Sequence, residues 1–247
     1  MRVTSPPPGY ETLVPLDRQR HRGLGVIETK RGAVAARLHS IPIAALEIIP
    51  AARHYPVVFA KDRDSGSWVV VAVTGYESGR NLFVTTDGTW LPHCYVPAYV
   101  RRWPFYTALL PKTDAGQTVV CVDETALEPS RLPLFDARGE PTPAWTPYET
   151  LLAELEAARL QTERFIATIE SLGLLEPFVA RAVPRAGEER VLRGMYRVNE
   201  TRLVALDGRT LKRLAKHGEL SRLYAHIMSL ENFRMLMERS GMAAARN

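Results

Sequence analysis

Residues 55–74 read YPVVFAKDRDSGSWVVVAVT. Tyr55–Ala60 is rich in β-branched and aromatic residues, which is typical of a strand. Trp68–Thr74 is an almost continuous apolar run and predicts a strand buried on both faces. The turn-forming cluster Asp62–Ser67 lies between the two. Because no helix-length segment separates these strands, the sequence predicts that they pair antiparallel.

The same pattern continues toward the C-terminus. Asn81–Val84 and Gln117–Asp123 predict two further strands. Asp87-Gly88, just before Trp90, is a strong hairpin-turn signal. Several strands joined by short turns favour an antiparallel sheet in this half of the chain.

Helix signals dominate after residue 146. Thr146, Pro147 and Glu149 match a capping-box start, and an apolar stripe then continues to about Gly173. The other predicted elements are a hairpin arm at Val191–Val198, a helix at Gly208–His217 capped by Asp207, and a last helix from Leu220 to about Arg239. The sequence therefore predicts an α+β fold, with an N-terminal antiparallel sheet region followed by a C-terminal helical region packed on it.

We divide the chain into three regions by composition. Residues 1–40 form a basic, proline-containing segment that is expected to be loosely ordered, 41–135 a β-rich half, and 146–240 a mainly helical half. The segment 136–146 resembles a linker. We nevertheless expect one domain spanning about residues 30–240, because the final helices can pack on the sheet.

Composition excludes several classes of protein. The 247 residues are 46% hydrophobic and 24% charged, as in an ordinary globular protein. No run approaches the roughly 20 apolar residues of a membrane span, and the first residues do not resemble a secretory signal. Cys94 and Cys121 are too few for a disulfide framework, so we expect a cytoplasmic location.

The net charge of +5 is concentrated early in the chain. A basic segment of this kind is either a solvated tail or an electrostatic contact for phosphate or anionic lipid. No nucleic-acid motif accompanies it, so no specific nucleic-acid partner is expected.

Residues 88–105 form the most distinctive stretch, GTWLPHCYVPAYVRRWPF. Its prolines exclude a long helix and favour extended or turn geometry. Its aromatic residues and arginines are the types that dominate binding hot spots, since a guanidinium holds a carboxylate and an indole supplies contact area. The candidate binding residues are Trp90, Tyr95, Tyr99, Arg101, Arg102 and Trp103. The alternative is that Trp90, Tyr99 and Trp103 belong to the core.

An enzyme is the second hypothesis. His54, His93, Asp123 and Glu124 could converge on a small-molecule or metal-assisted site. Their spacing matches no metal motif, and Asp123 and Glu124 are better explained as ion-pair partners of Arg101 and Arg102. His93 and Cys94 would point to opposite faces of a strand, which disfavours a thiolate–imidazole pair. No catalytic residue, metal or cofactor is therefore assigned.

Several phrases together resemble the SapC family of bacterial proteins. They occur in order over about residues 30–240, and they include HYPVVF (54–59), NLFV (81–84), DGTW (87–90), YVPAYVRRWPF (95–105), CVDE (121–124), LFD (134–136), GEPT (139–142), LLEP (174–177) and AHIMSL (225–230). The family name is tied to bacterial surface-layer systems, and the resemblance supplies no catalytic residues. It implies a non-catalytic binding or accessory protein in envelope or nutrient-uptake physiology, with a protein or peptide partner. Self-association is left open.

Overall fold

The computed structural model describes residues 6–62, 65–109, 118–182 and 190–244. Its elements up to residue 73 are β1 (Leu13–Pro15), β2 (Leu24–Val26), α1 (Glu28–Ala35), β3 (Ser40–Ile43), the 3-10 turn Ala45–Glu47, α2 (Ile48–Ala52), β4 (Val57–Lys61) and β5 (Trp68–Val73). The middle of the chain forms α3 (Ala98–Arg101), β6 (Phe105–Leu109), β7 (Thr118–Asp123), the 3-10 turn Glu124–Ala126 and β8 (Leu127–Pro129). The remainder forms α4 (Thr146–Ser171), β9 (Leu175–Ala182), β10 (Arg190–Val198), α5 (Glu200–Val204), α6 (Gly208–Lys216), α7 (Glu219–Ser229) and α8 (Asn232–Ala244).

The strands predicted at residues 55–74 lie in the middle of a five-stranded antiparallel sheet. Its strand order is β3-β5-β4-β10-β9, and β4 pairs with β5 from Val57↔Ala72 to Lys61↔Trp68. The predicted pairing is confirmed, although residues 63–64 of the predicted turn lie outside the described residues. The hairpin β9–β10 from the C-terminal half completes the sheet through Tyr196↔Phe59.

Two smaller sheets incorporate the N-terminal segment. One has the order β1-β7-β6 and the other pairs β2 with β8. The prediction that residues 1–40 are loosely ordered is wrong for the described part, because β1 places Leu13 and Val14 in the core and pairs with β7. Burial of apolar side chains outweighs the charged composition of the segment. β7 begins at Thr118, and the predicted Gln117 lies outside the described residues.

The core joins both halves of the chain. Helix α7 packs on β4 and β10 and also contacts α2, while Phe165 and Ile169 of α4 lie in the same buried cluster as Phe59. The predicted α+β fold, with the helical region on the sheet, is confirmed. No helix among the described residues is long and apolar enough to cross a membrane.

Three local predictions are wrong. Residues 81–84 form no strand beyond the single bridge Val84↔Trp90, because the Asn81 side chain binds backbone groups at Ala35 and Phe83. The Thr146 side chain makes no cap, since α4 begins one residue earlier than predicted and takes Trp145 as its N-cap. The last predicted helix is divided into α7 and α8, where the Asn232 side chain donates to the backbone of residues 52 and 55.

The turn at Asp87-Gly88 is confirmed, with φ of 83° at Gly88.

Gly75 provides a stability prediction at a close backbone approach. A Cβ at this position would lie 2.0 Å from the carbonyl oxygen of Arg80, which is backbone and cannot swing away. We expect Gly75→Ala to lower the free energy of unfolding by about 2–3 kcal/mol, because overpacking forces a backbone shift. Urea unfolding of Gly208→Ala is the control, since nothing lies within 4 Å of a Cβ there. Equal stability of the two variants would contradict the prediction.

Candidate binding surface around residues 90–101

The structure divides the six candidate binding residues into two groups. Trp90 and Tyr95 are half-buried and Arg101 is exposed, so these three remain accessible. Tyr99, Arg102 and Trp103 pack against the N-terminal segment instead. The short helix α3 causes this division, because it directs Tyr99 inward and Arg101 outward. We call Trp90, Tyr95 and Arg101 the 90–101 surface.

Tyr99 and Trp103 have structural roles. They are 7% and 3% exposed. The Tyr99 hydroxyl donates to the Pro8 carbonyl at 2.6 Å, and Trp103 Nε1 donates to the Gly9 carbonyl at 3.1 Å. The alternative assignment of these two aromatics to the core is confirmed, and neither has an exposed side chain for a partner.

Arg102 is held between aromatic rings. Its guanidinium carbon lies 4.7 Å from the Tyr99 ring centroid and 4.4 Å from that of Tyr106, which is cation–π distance. Burial raises the pKa of the neighbouring Tyr10 to about 12, although the Arg102 charge acts in the opposite direction. This arginine is therefore part of the packing of the N-terminal segment and does not present its guanidinium to a partner.

The predicted ion pairs of Asp123 and Glu124 with Arg101 and Arg102 are wrong. Asp123 is 1% exposed and accepts hydrogen bonds from the backbone N–H groups of Glu11 at 2.6 Å and Thr12 at 3.2 Å. The Glu124 carboxylate pairs with Arg20 at 2.6 Å. Both acids consequently fix the N-terminal segment to the end of β7.

Tyr55 connects Trp90 to Tyr95. The Tyr55 side chain is fully buried, and its hydroxyl accepts a hydrogen bond from Trp90 Nε1 at 3.1 Å while donating to the Tyr95 carbonyl. The Phe83 ring packs edge-on against Tyr55 at 4.6 Å between centroids. The indole of Trp90 is thus held in one orientation although it is partly open to solvent.

Glu47 connects Tyr95 to α3. This glutamate is 2% exposed, and its Oε1 accepts hydrogen bonds from the Tyr95 hydroxyl and the Ala98 backbone N–H, both at 2.8 Å. Burial raises the pKa of the Tyr95 hydroxyl, Glu47 raises it further, and the nearby Arg101 opposes the shift. Tyr95 therefore stays a neutral donor between a buried carboxylate and an exposed guanidinium.

Arg101 is exposed, and its guanidinium lies beside the Tyr95 hydroxyl. Its Nε donates to the Val96 carbonyl at 3.2 Å, which restrains the side chain. Within the described ranges, no carboxylate lies at ion-pair distance from this guanidinium. The result is a restrained, exposed cation beside two partly exposed aromatic rings.

Sequence reasoning missed Glu47 and Tyr55. Glu47 is the lone charged residue in the apolar stretch Ile43–Ile49, and a lone carboxylate in such a stretch is a usable signal for a buried acceptor. Tyr55 was assigned to a strand, whereas β4 begins two residues later and leaves Tyr55 at the junction with α2.

The four residues of the enzyme hypothesis do not assemble. His93 is exposed in a turn, with φ of 63°, while Asp123 belongs to the three-stranded sheet. Among the described residues, no group of three or more His, Cys, Asp or Glu side chains could hold a metal. In the described part of the chain, His54, His93, Asp123 and Glu124 therefore do not form a metal-binding group.

Cys94 lies in a different setting from the one a reactive thiol requires. It is half-buried, and burial raises its pKa above the ordinary value, with the Arg239 charge acting against the shift. A low pKa is what activates a thiolate. The geometry favours Cys94 as a small packing residue.

Comparison with known proteins agrees with the resemblance in the sequence. The family model SapC matches residues 16–236, which is most of the chain. No curated protein and no solved structure matches. The partner class and the cytoplasmic location stay predictions. The chain belongs to the SapC family.

Proposed function

We propose that this protein is a non-catalytic binding module that recognises an acidic peptide or protein segment through the 90–101 surface. The observation that carries the proposal is Arg101, an exposed guanidinium that is restrained at Nε and has no carboxylate at ion-pair distance among the described residues. Such a fork can hold a carboxylate through two parallel hydrogen bonds.

The aromatic residues of the surface support the same proposal. Trp90 and Tyr95 are partly exposed; the Trp90 indole is held by the buried Tyr55 hydroxyl, and the Tyr95 hydroxyl is held by the buried Glu47 carboxylate. A binding site formed by rigid aromatic side chains loses little conformational entropy when a partner docks. Trp90 and Tyr95 would supply apolar contact area beside the charge of Arg101.

The proposal is tested by selection of peptides from a displayed library of random short sequences. We expect the selected peptides to be enriched in aspartate and glutamate, because Arg101 requires a carboxylate. Arg101→Ala should weaken their binding about ten-fold to a hundred-fold, the range for loss of a hydrogen bond to a charged group. The affinity of Arg101→Lys should lie between those of the wild type and Arg101→Ala, because lysine keeps the charge and loses the two parallel donors of the guanidinium.

Arg131→Ala is the matched control. Arg131 is also exposed and its removal changes the net charge equally. Equal affinity of the wild type and Arg101→Ala, or selected peptides without acidic enrichment, would overturn the proposal. Circular dichroism of each variant separates a binding defect from a folding defect.

A further inference from the structure

A cleft of about 400 Å³ lies apart from the 90–101 surface. Residues 8–11 line one part of it, and the end of α1 with the following residues, the start of β3 and residues 78–79 line the rest. Trp90, Tyr95 and Arg101 do not line it. A volume of this size is within the range of small-molecule sites.

Hydrogen bonds from buried side chains hold residues 8–11 in place. Tyr99 donates to the Pro8 carbonyl, Trp103 donates to the Gly9 carbonyl, and the Tyr10 hydroxyl donates to the Phe105 carbonyl at 2.8 Å. Gly9 has φ of 88°, and a Cβ there would lie 2.7 Å from Val34 Cγ1. The cleft is therefore formed before any ligand arrives.

The cleft combines an apolar floor with charges of both signs. Tyr10 and Leu38 line it and are 6% and 5% exposed. The exposed side chains of Arg37 and Glu11 also line it, and Ser78 adds a hydroxyl. In the part of the chain that the structure describes, neither Arg37 nor Glu11 forms an ion pair.

We propose that this cleft binds a zwitterion, an amino acid or short peptide with an apolar side chain. Arg37 would bind the carboxylate, Glu11 the ammonium group, and Tyr10 and Leu38 the apolar side chain. A simple anion fits less well, because the Glu11 carboxylate on the same cleft would repel it. The proposal is independent of the function proposed for the 90–101 surface, since the two sites share no residue.

Calorimetric titration with L-leucine and with the dipeptide leucyl-leucine tests the site. We expect at least one of them to bind the wild type, and Arg37→Ala and Glu11→Gln each to weaken that binding about ten-fold or more, as expected when a charge-assisted contact is lost. Arg131→Ala should bind like the wild type. Arg37 and Glu11 are both exposed, so we expect these variants to fold.

Analogues of leucine assign each charge to its partner. Leucinamide lacks the carboxylate and is a cation, so Arg37→Ala should not weaken its binding and should strengthen it by removing the repulsion from the Arg37 guanidinium. N-acetyl-leucine lacks the ammonium group and is an anion, so Glu11→Gln should not weaken its binding and should strengthen it by removing the repulsion from the Glu11 carboxylate. Absence of binding by both zwitterions, unchanged affinity in both variants, or N-acetyl-leucine binding as tightly as leucine would overturn the proposal.

Discussion

Replacing Glu47 with alanine is expected to lower the free energy of unfolding by about 4 kcal/mol. The Glu47 carboxylate accepts hydrogen bonds from the Tyr95 hydroxyl, the Ala98 N–H and the Ala44 N–H, each at 2.8 Å. Alanine would leave all three donors without this acceptor, and each buried unsatisfied group costs about 1–3 kcal/mol. Two of these hydrogen bonds join the 3-10 turn Ala45–Glu47 to Tyr95 and to the first residue of α3, and the third closes the start of the turn itself, so both segments should loosen together.

Urea unfolding measures the stability change, and thermal unfolding should show a midpoint lower by about 10 °C. Glu154→Ala is the control, because Glu154 is exposed on α4 and alanine is a good helix former. Glu47→Gln keeps the side-chain volume and one acceptor oxygen, so its free energy of unfolding should lie between those of the wild type and Glu47→Ala. A Glu47→Ala protein as stable as the control would show that the loop is held by other contacts.

The effect should extend to binding. Glu47 orients the Tyr95 hydroxyl, and Tyr95 lies beside Arg101 in the 90–101 surface. Without Glu47, the side chains of Tyr95 and Arg101 are less restrained. They must then be ordered when a partner docks, which weakens affinity. Arg101→Ala, in contrast, should weaken binding without lowering stability, so the two variants separate support of the surface from contact with the partner.

Local patterns in the sequence predicted the centre of the fold well. β4 and β5 are adjacent in the chain, and their β-branched residues and intervening turn are local signals. The pairing of β10 with β4 was not predicted, because Met195 lies opposite Ala60 from a distant part of the chain and no local signal encodes that contact. The three-stranded sheet was missed for the same reason, since Leu13 pairs with Asp123.

The sequence could place the candidate site within residues 88–105, but it could not tell which of these residues contact a partner and which belong to the core. Prolines interrupt residues 88–105, so no helical or strand period tells which aromatic side chains point inward. Tyr99 and Arg101 lie two residues apart in one short helix and have opposite exposures, which depends on the packing of Pro8 and Gly9 against α3. These contacts are long-range. The composition could therefore identify residues 88–105 as distinctive, but it could not separate the buried side chains from the exposed ones.

His226 occupies the point where the ladder between β4 and β10 stops. The last paired residues there are Tyr196 and Phe59, and continuing the register would bring Val198 opposite Val57. The imidazole takes the place of that pair: Nε2 accepts from the Val198 N–H at 3.0 Å, and Nδ1 donates to the Val57 carbonyl at 2.8 Å. These partners fix the neutral tautomer with its proton on Nδ1, since a backbone N–H can only donate and a carbonyl can only accept.

We expect this histidine to make the protein sensitive to mild acid. His226 is fully buried, and burial lowers its pKa from 6.5 to about 4. The unfolded chain therefore binds the proton more tightly than the folded protein does. The stabilisation is present above pH 6.5 and declines as the pH falls toward 4, by about 3 kcal/mol in total. A proton on Nε2 would also point at the Val198 N–H and break that hydrogen bond.

Urea unfolding at several values between pH 7 and 4 tests this expectation through a difference in slope. His226→Gln removes the titrating group while keeping a donor and an acceptor, so its stability should change less with pH than that of the wild type. His54 also has a lowered pKa, caused mainly by burial, and it contributes in the same direction in both proteins. His93→Gln, at an exposed turn, is the control for replacing a histidine with glutamine. Identical slopes for the wild type and His226→Gln would contradict the prediction, because they would mean that the folded protein protonates His226 as readily as the unfolded chain does.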